Sequence, residues 1–118
     1  MIKEEIDDYK VSIKYIESEK EIGFINIENH YEIIDIVEVY VQEEHRNKGI
    51  ASELLKYLIE NYSNKCEKFM LEVRISNKVA IHLYEKYGFK QINIRKNYYD
   101  KEDALILERT VKWKMYIF

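Results

Sequence analysis

The residues with the clearest chemical potential are those of the turn His45-Arg46-Asn47-Lys48-Gly49-Ile50-Ala51. The apolar run Ile36-Val37-Glu38-Val39-Tyr40-Val41 precedes it. After it, Ile50, Leu54, Leu55, Leu58, Ile59 and Tyr62 fall on one face of a 3.6-residue period, so a strand enters the turn and a helix leaves it. The first N–H groups of a helix have no partner within it and lie at the positive end of its dipole. With Gly, Arg and Lys in the turn, they make a cradle for an anion, a phosphate above all. The spacing is neither that of a P-loop, G-x-x-x-x-G-K-[ST], nor that of the dinucleotide turn G-x-G-x-x-G. On residue types alone, a solvated turn between strand and helix is the alternative.

The elements that must position this turn follow from pattern. Tyr9 to Ile16 alternates apolar and polar residues as a half-buried strand does. Ile22 to Ile27 and Ile33 to Val41 are the next two strands, separated by polar turns. Asn64 and Lys65 close the first helix, and Lys68 to Arg74 forms a strand. Along it Phe69, Leu71 and Val73 share one face, Met70 and Glu72 the other. Ser76 and Asn77 are good N-cap types for a helix carrying Val79, Ala80, Leu83, Tyr84 and Tyr87. Gly88 suits the left-handed position that ends it, with Phe89 packing back. Gln91 to Arg95 and Ala104 to Thr110 are the last strands, with Tyr98 and Tyr99 in the loop before the final one. Met1 to Asp8 is weakly patterned and expected to be frayed or peripheral, and Lys112 to Phe118 is apolar enough to dock. Two hairpins followed by a strand–helix unit predict a mixed sheet of α/β (α+β) class.

Composition bounds the function. A chain of 118 residues reads as one domain, residues 1–118. A formal charge of −3 disfavours a nucleic-acid or anionic-lipid partner. No apolar run approaches the ~20 residues of a membrane span. Cys66 is alone, which excludes an intrachain disulfide and a cysteine-based zinc site. The expected location is the reducing cytoplasm. His30, His45 and His82 lack metal-ligand spacing, and no metal is expected.

Three ordered motifs carry a family resemblance. Arg46-Asn47-Lys48-Gly49-Ile50-Ala51 resembles the R-x-x-G-x-[GA] pyrophosphate loop of the GNAT acyl-CoA N-acetyltransferases. Leu71-Glu72-Val73-Arg74-Ile75-Ser76-Asn77, followed by Leu83-Tyr84-Glu85-Lys86-Tyr87-Gly88-Phe89, resembles that family's second signature, most closely in its ribosomal-protein-alanine branch. Arg95 to Tyr99 with Glu102-Asp103-Ala104 resembles the final hairpin of the enzymes that acetylate protein N-termini.

The resemblance implies a largely antiparallel central sheet with helices on both faces, and acetyl-CoA as cofactor. Asn47, Lys48, Gly49, Ile50, Ala51 and Ser52 would offer backbone N–H groups to the pyrophosphate, with charge from Arg46 and Lys48. Pantetheine would lie along the backbone of Val39, Tyr40 and Val41 as an added strand does, with Asn77 bonding it. Glu72 would be the general base, with Asp35 and Glu38 on the preceding strand as alternatives. Tyr84, beside the cofactor sulfur, would be the general acid. Tyr98 and Tyr99 would clamp the first residues of a peptide acceptor, which favours the α-amine of a protein, such as a ribosomal protein, over a small-molecule amine. A non-catalytic domain that binds acetyl-CoA or a partner is the further alternative. Family domains begin with a strand and two helices that wall the acceptor site, and this sequence is expected to lack all three. A homodimer or partner chain would then supply that wall.

Overall fold

Period-two alternation of β-branched residues builds most of this molecule, described over residues 1–111 in a computed structural model. The strands are β1 (Ile2–Asp7), β2 (Lys10–Glu17), β3 (Lys20–Asn29), β4 (Ile33–Val41), β5 (Lys68–Arg74), β6 (Lys90–Tyr99) and β7 (Glu102–Thr110). Helix α1 (Ile50–Tyr62) joins β4 to β5, and α2 (Lys78–Lys86) joins β5 to β6. The seven strands form one sheet in the order β1-β2-β3-β4-β5-β7-β6. Neighbours run antiparallel throughout except β4 and β5, which are parallel. This is the expected mixed, mostly antiparallel α+β architecture. The expected docking of Lys112 to Phe118 lies outside the described residues.

One face of the sheet is dry. Val11 and Ile13 of β2, Ile25 and Ile27 of β3, Ile34 and Ile36 of β4, Phe69, Leu71 and Val73 of β5, and Leu105 and Leu107 of β7 are buried there in a single cluster. Leu54, Leu55 and Leu58 of α1 and Tyr84 of α2 complete it. Both helices lie on this face, tied to each other by a hydrogen bond between the Ser52 and Tyr87 hydroxyls. The reason is topological. Two successive right-handed crossovers, β4-α1-β5 and β5-α2-β6, move the same way across the sheet, so their helices share a side. The described helices therefore cover one face rather than flanking both.

The N-terminus departs from expectation. Ile2 to Asp7 is not frayed: each of its residues has a register partner in β2, from Ile2 opposite Tyr15 to Asp7 opposite Lys10. Only Ile2 and Glu4 turn partly inward, and Glu4 is no hydrophobe. Its carboxylate instead accepts hydrogen bonds from Tyr57 at 2.8 Å and, more closely, from Tyr62, both on α1. A carboxylate bonded twice by phenols substitutes for an apolar contact, which is why hydrophobic patterning misses this strand. The first family strand is thus present. The two helices are not among the described residues: β1 passes into β2 through Asp8-Tyr9 alone, with Asp8 at φ 58°.

Candidate active site

The site begins with a bulge. Ile27 of β3 faces Ile36 of β4, but the next partner of β4 along β3, Asn26, faces Glu38. Val37 is the extra residue and is 59% exposed. A bulge bends its strand and adds twist, and here the bend separates β4 from β5. Pairing between them is confined to Ile33–Ile36 with Lys68–Leu71. Beyond Ile36 the two strands part, leaving the backbone of Glu38 to Val41 unpaired on that side. The resulting cleft, about 800 Å³, is lined by β4 from Ile36 to Val41, by the turn and start of α1, by Leu71 to Arg74 of β5, and by Asn77 and Tyr84.

The turn takes the shape its residues suggest. Asn47 and Gly49 both adopt left-handed backbone, at φ 63° and 81°, and Gly49 caps α1. His45, Arg46, Asn47, Gly49, Ile50, Ala51 and Ser52 all border the cleft. Arg46 also ties the turn to the end of β4. Its Nε donates to the Val41 carbonyl at 2.8 Å, and its guanidinium lies 5.6 Å from the Tyr40 ring centre. Lys48 is exposed and does not line the cleft.

Across the cleft, Glu72 projects from β5 as alternation requires. Its Oε1 is 3.1 Å from Nη2 of Arg95 on β6, a partner no spacing rule anticipates. Of the alternative bases, Glu38 borders the cleft and Asp35 does not. Asn77 caps α2 by accepting from the Ala80 N–H at 3.2 Å, so its oxygen is committed to the helix while its NH₂ is left to donate. Tyr84 is buried to 7% exposure. Burial alone pushes its phenol up to about 12.

Tyr98 and Tyr99 lie not in a loop but at the end of β6, which runs longer than its sequence pattern indicates. Their rings meet edge to face, 5.0 Å between centres. Tyr99 borders the cleft beneath the Arg74 guanidinium, 4.3 Å from its ring centre. Burial, then the Glu72 charge, raises the Tyr99 pKa, with Arg74 opposing. Tyr98 stands outside the lining, exposed under Arg95. The hairpin is fastened by Glu102, which accepts from the Ser76 N–H at 2.8 Å and pairs with Arg74 at 3.4 Å. These contacts hold its pKa below the ordinary carboxylate range. Val79, Ala80 and Leu83 complete the lining; with Val37 and Arg74, they were not among the site residues expected from the sequence.

The parted strands and the glycine-capped helix start fit the family resemblance of the sequence, and the sequence model described as "Acetyltransferase (GNAT) family" matches residues 3–89. The chain belongs to the GNAT family. It is 41% identical over 103 residues to an N-alpha-acetyltransferase of Saccharolobus solfataricus, covering 82% of this chain and 62% of that protein. It is 38% identical over 74 residues to the [ribosomal protein bS18]-alanine N-acetyltransferase of Escherichia coli, covering 58% of this chain and 50% of that one. The crystal structure of the Escherichia coli ribosomal-protein-S18-alanine N-acetyltransferase superposes with a TM-score of 0.86 at 27% identity, over 90% of this chain and 72% of that one. A GNAT acetyltransferase of Elizabethkingia anophelis with acetyl-CoA bound gives a TM-score of 0.79 at 26% identity, over 86% and 76% of the two chains. The match to the Saccharolobus protein spans about three-fifths of that relative, and the match to the Escherichia coli protein half. No described helix is long and apolar enough to cross a membrane.

Proposed function

We propose that this GNAT chain moves the acetyl group of acetyl-CoA to a primary amine, the N-terminal α-amine of a protein being the acceptor. One observation carries the reading: the parting of β4 from β5 opens a single cleft onto an unpaired strand edge, a helix start, Glu72 and Tyr84. The N–H groups of the turn and α1 would hold the pyrophosphate, and the free edge of β4 would pair with the pantetheine amides. An ammonium arriving at the cleft meets Glu72 and Glu38 and competes with Arg95 for the former. Glu72, directly or through one water, takes its proton. The amine nitrogen then forms the C–N bond as the C–S bond breaks, the sulfur leaves as thiolate, and the surplus proton on the new amide nitrogen passes to solvent.

Tyr84 stabilises that thiolate by donating a hydrogen bond. A phenol near 12 does not readily surrender its proton to a thiolate whose conjugate thiol has an ordinary pKa of ~8.5, so the donor stays a phenol and the thiolate takes its proton from solvent. Support for a protein acceptor comes from the names of the relatives and from Tyr99, whose ring borders the cleft where the residues behind an α-amine would lie.

The test is thiol release from acetyl-CoA with a panel of short peptides against small amines. Glu72→Gln is expected to lower turnover by ~10²–10⁴-fold and Tyr84→Phe by less, both with acetyl-CoA affinity little changed. Transfer to small amines alone would move the acceptor assignment. Acetyl-CoA binding with no transfer to any amine would leave the non-catalytic reading, which the closed Glu72–Arg95 pair favours.

A further inference from the structure

At the other end of β4 from the cleft, three side chains converge without a role in the reaction above. Glu28 and Asp35 face each other across the β3–β4 ladder, so their carboxylates leave the sheet on the same side. His30 follows in the hairpin turn. Its Nε2 lies 3.3 Å from Oε1 of Glu28 and 3.6 Å from Oδ2 of Asp35, and one ligand atom from each of the three lies within 4.8 Å of the others. We propose that Glu28, His30 and Asp35 form a binding site for a divalent transition cation of the zinc type.

The backbone holds these groups in place before any ion arrives. The His30 N–H donates to the Ile33 carbonyl at 3.0 Å, and the Tyr31 N–H to Oδ1 of Asn29 at 2.9 Å, with Tyr31 itself at φ 68°. The His30 ring stacks on Tyr9, 5.5 Å between centres. Tyr9 is fixed in turn, because the Asn29 N–H donates to its carbonyl at 2.6 Å. The imidazole is thus braced by the β1–β2 turn on one side and faces two carboxylates on the other.

Distances and charge both fit. Zinc takes histidine nitrogen and carboxylate oxygen at about 2.0–2.2 Å, which puts tetrahedral ligand atoms roughly 3.3–3.6 Å apart; the two separations from His30 lie in that range, and the two carboxylates, within 4.8 Å of each other, can close on an ion by side-chain rotation. Among the described residues, the His30 ring is the basic group found within ion-pair distance of either carboxylate. Lys10, the ladder partner of Glu28, leans over the Tyr9 ring instead. A bound cation relieves the repulsion between the two facing carboxylates. An imidazole in the ligand set selects zinc, cobalt, nickel or copper over calcium and magnesium, which prefer oxygen alone. Water completes the coordination. None of the three residues borders the cleft, so the ion would fasten the hairpin rather than enter the chemistry. The inference is independent of the acceptor.

The experiment is a calorimetric titration of the chelator-treated full chain with zinc chloride, repeated on His30→Ala and Asp35→Asn. One ion per chain is expected, bound at least ~10-fold more weakly by each variant and more weakly at acid pH, where protons compete for the ligand atoms. In long-range ¹H–¹⁵N spectra, zinc is expected to shift the His30 ring nitrogens and leave those of His45 and His82 in place. Circular dichroism and acetyl-CoA titration of the variants report folding separately. No uptake up to millimolar zinc, uptake that survives both substitutions, or a shift at His45 or His82 in place of His30 would each overturn the site.

Discussion

The two halves of β4 are chemically alike in sequence and opposite in use. Ile34 to Ile36 is paired on both sides, with β3 and with β5, and buries Ile34 and Ile36 in the core. Glu38 to Val41 is paired with β3 alone, and its other edge opens onto the cleft. Nothing in propensity separates Ile-Ile-Asp-Ile from Glu-Val-Tyr-Val. What separates them is one surplus residue, Val37. The sheet opens a cleft here by losing pairing at a defined point, and the groups freed by that loss are backbone groups, indifferent to side-chain identity.

The comparison predicts unequal responses to substitution. Ile34→Ala, in the closed half, is expected to cost ~2–5 kcal/mol of stability through the transfer and cavity terms of a fully buried aliphatic side chain. Tyr40→Ala, in the open half, is expected to cost under ~1 kcal/mol, the scale of an exposed cross-strand pair such as the one its ring makes with Phe24. Denaturant unfolding of the two variants checks this, and similar losses would contradict the division. Deleting Val37 sharpens it further. The deletion restores regular alternation without moving Val39 or Val41 off the core face, so the chain should still fold. Acetyl-CoA binding, followed by calorimetry, should weaken by at least ~10-fold; unchanged affinity would show that the bulge does not create the cleft.

A smaller effect belongs to the closed half. The folded Asp35 pKa lies above its usual value, so the folded chain holds that proton more tightly than the unfolded one. Stability therefore falls as pH rises through the folded pKa, and the penalty persists at neutrality. In metal-free buffer, Asp35→Asn is expected to raise Tm slightly at pH 7, with the gain vanishing below the ordinary aspartate range. A lowered Tm at pH 7 would contradict the sign.

Much of this was legible because it is local. The bounds of β4 and β5, the Asn77 cap and the left-handed Gly88 at φ 88° are written in short stretches. So is the turn before α1, where residue type and backbone angle coincide. What escaped is assembled across the sheet. Glu72 meets Arg95 only because β7 inserts between β5 and β6 and brings the β6 side chain over. The Glu28–His30–Asp35 group has no ligand spacing along the chain; the β3–β4 register creates it. Ile2 to Asp7 hid as a strand because its inward anchor is a glutamate. Tyr98 and Tyr99 continue β6 past the apolar pattern that would have announced it.

The Asp8-Tyr9 junction bears on how such an enzyme changes its clientele. Asp7 opposite Lys10 closes the β1–β2 ladder, so a segment spliced between those strands leaves every downstream register untouched. The wall that other members of the family build against the acceptor is, in this architecture, a cassette. Here the socket is shut by two residues, and on the proposed reading a relative's helices grafted into it would alter which amines are admitted while leaving the β4–α1 cleft as it is.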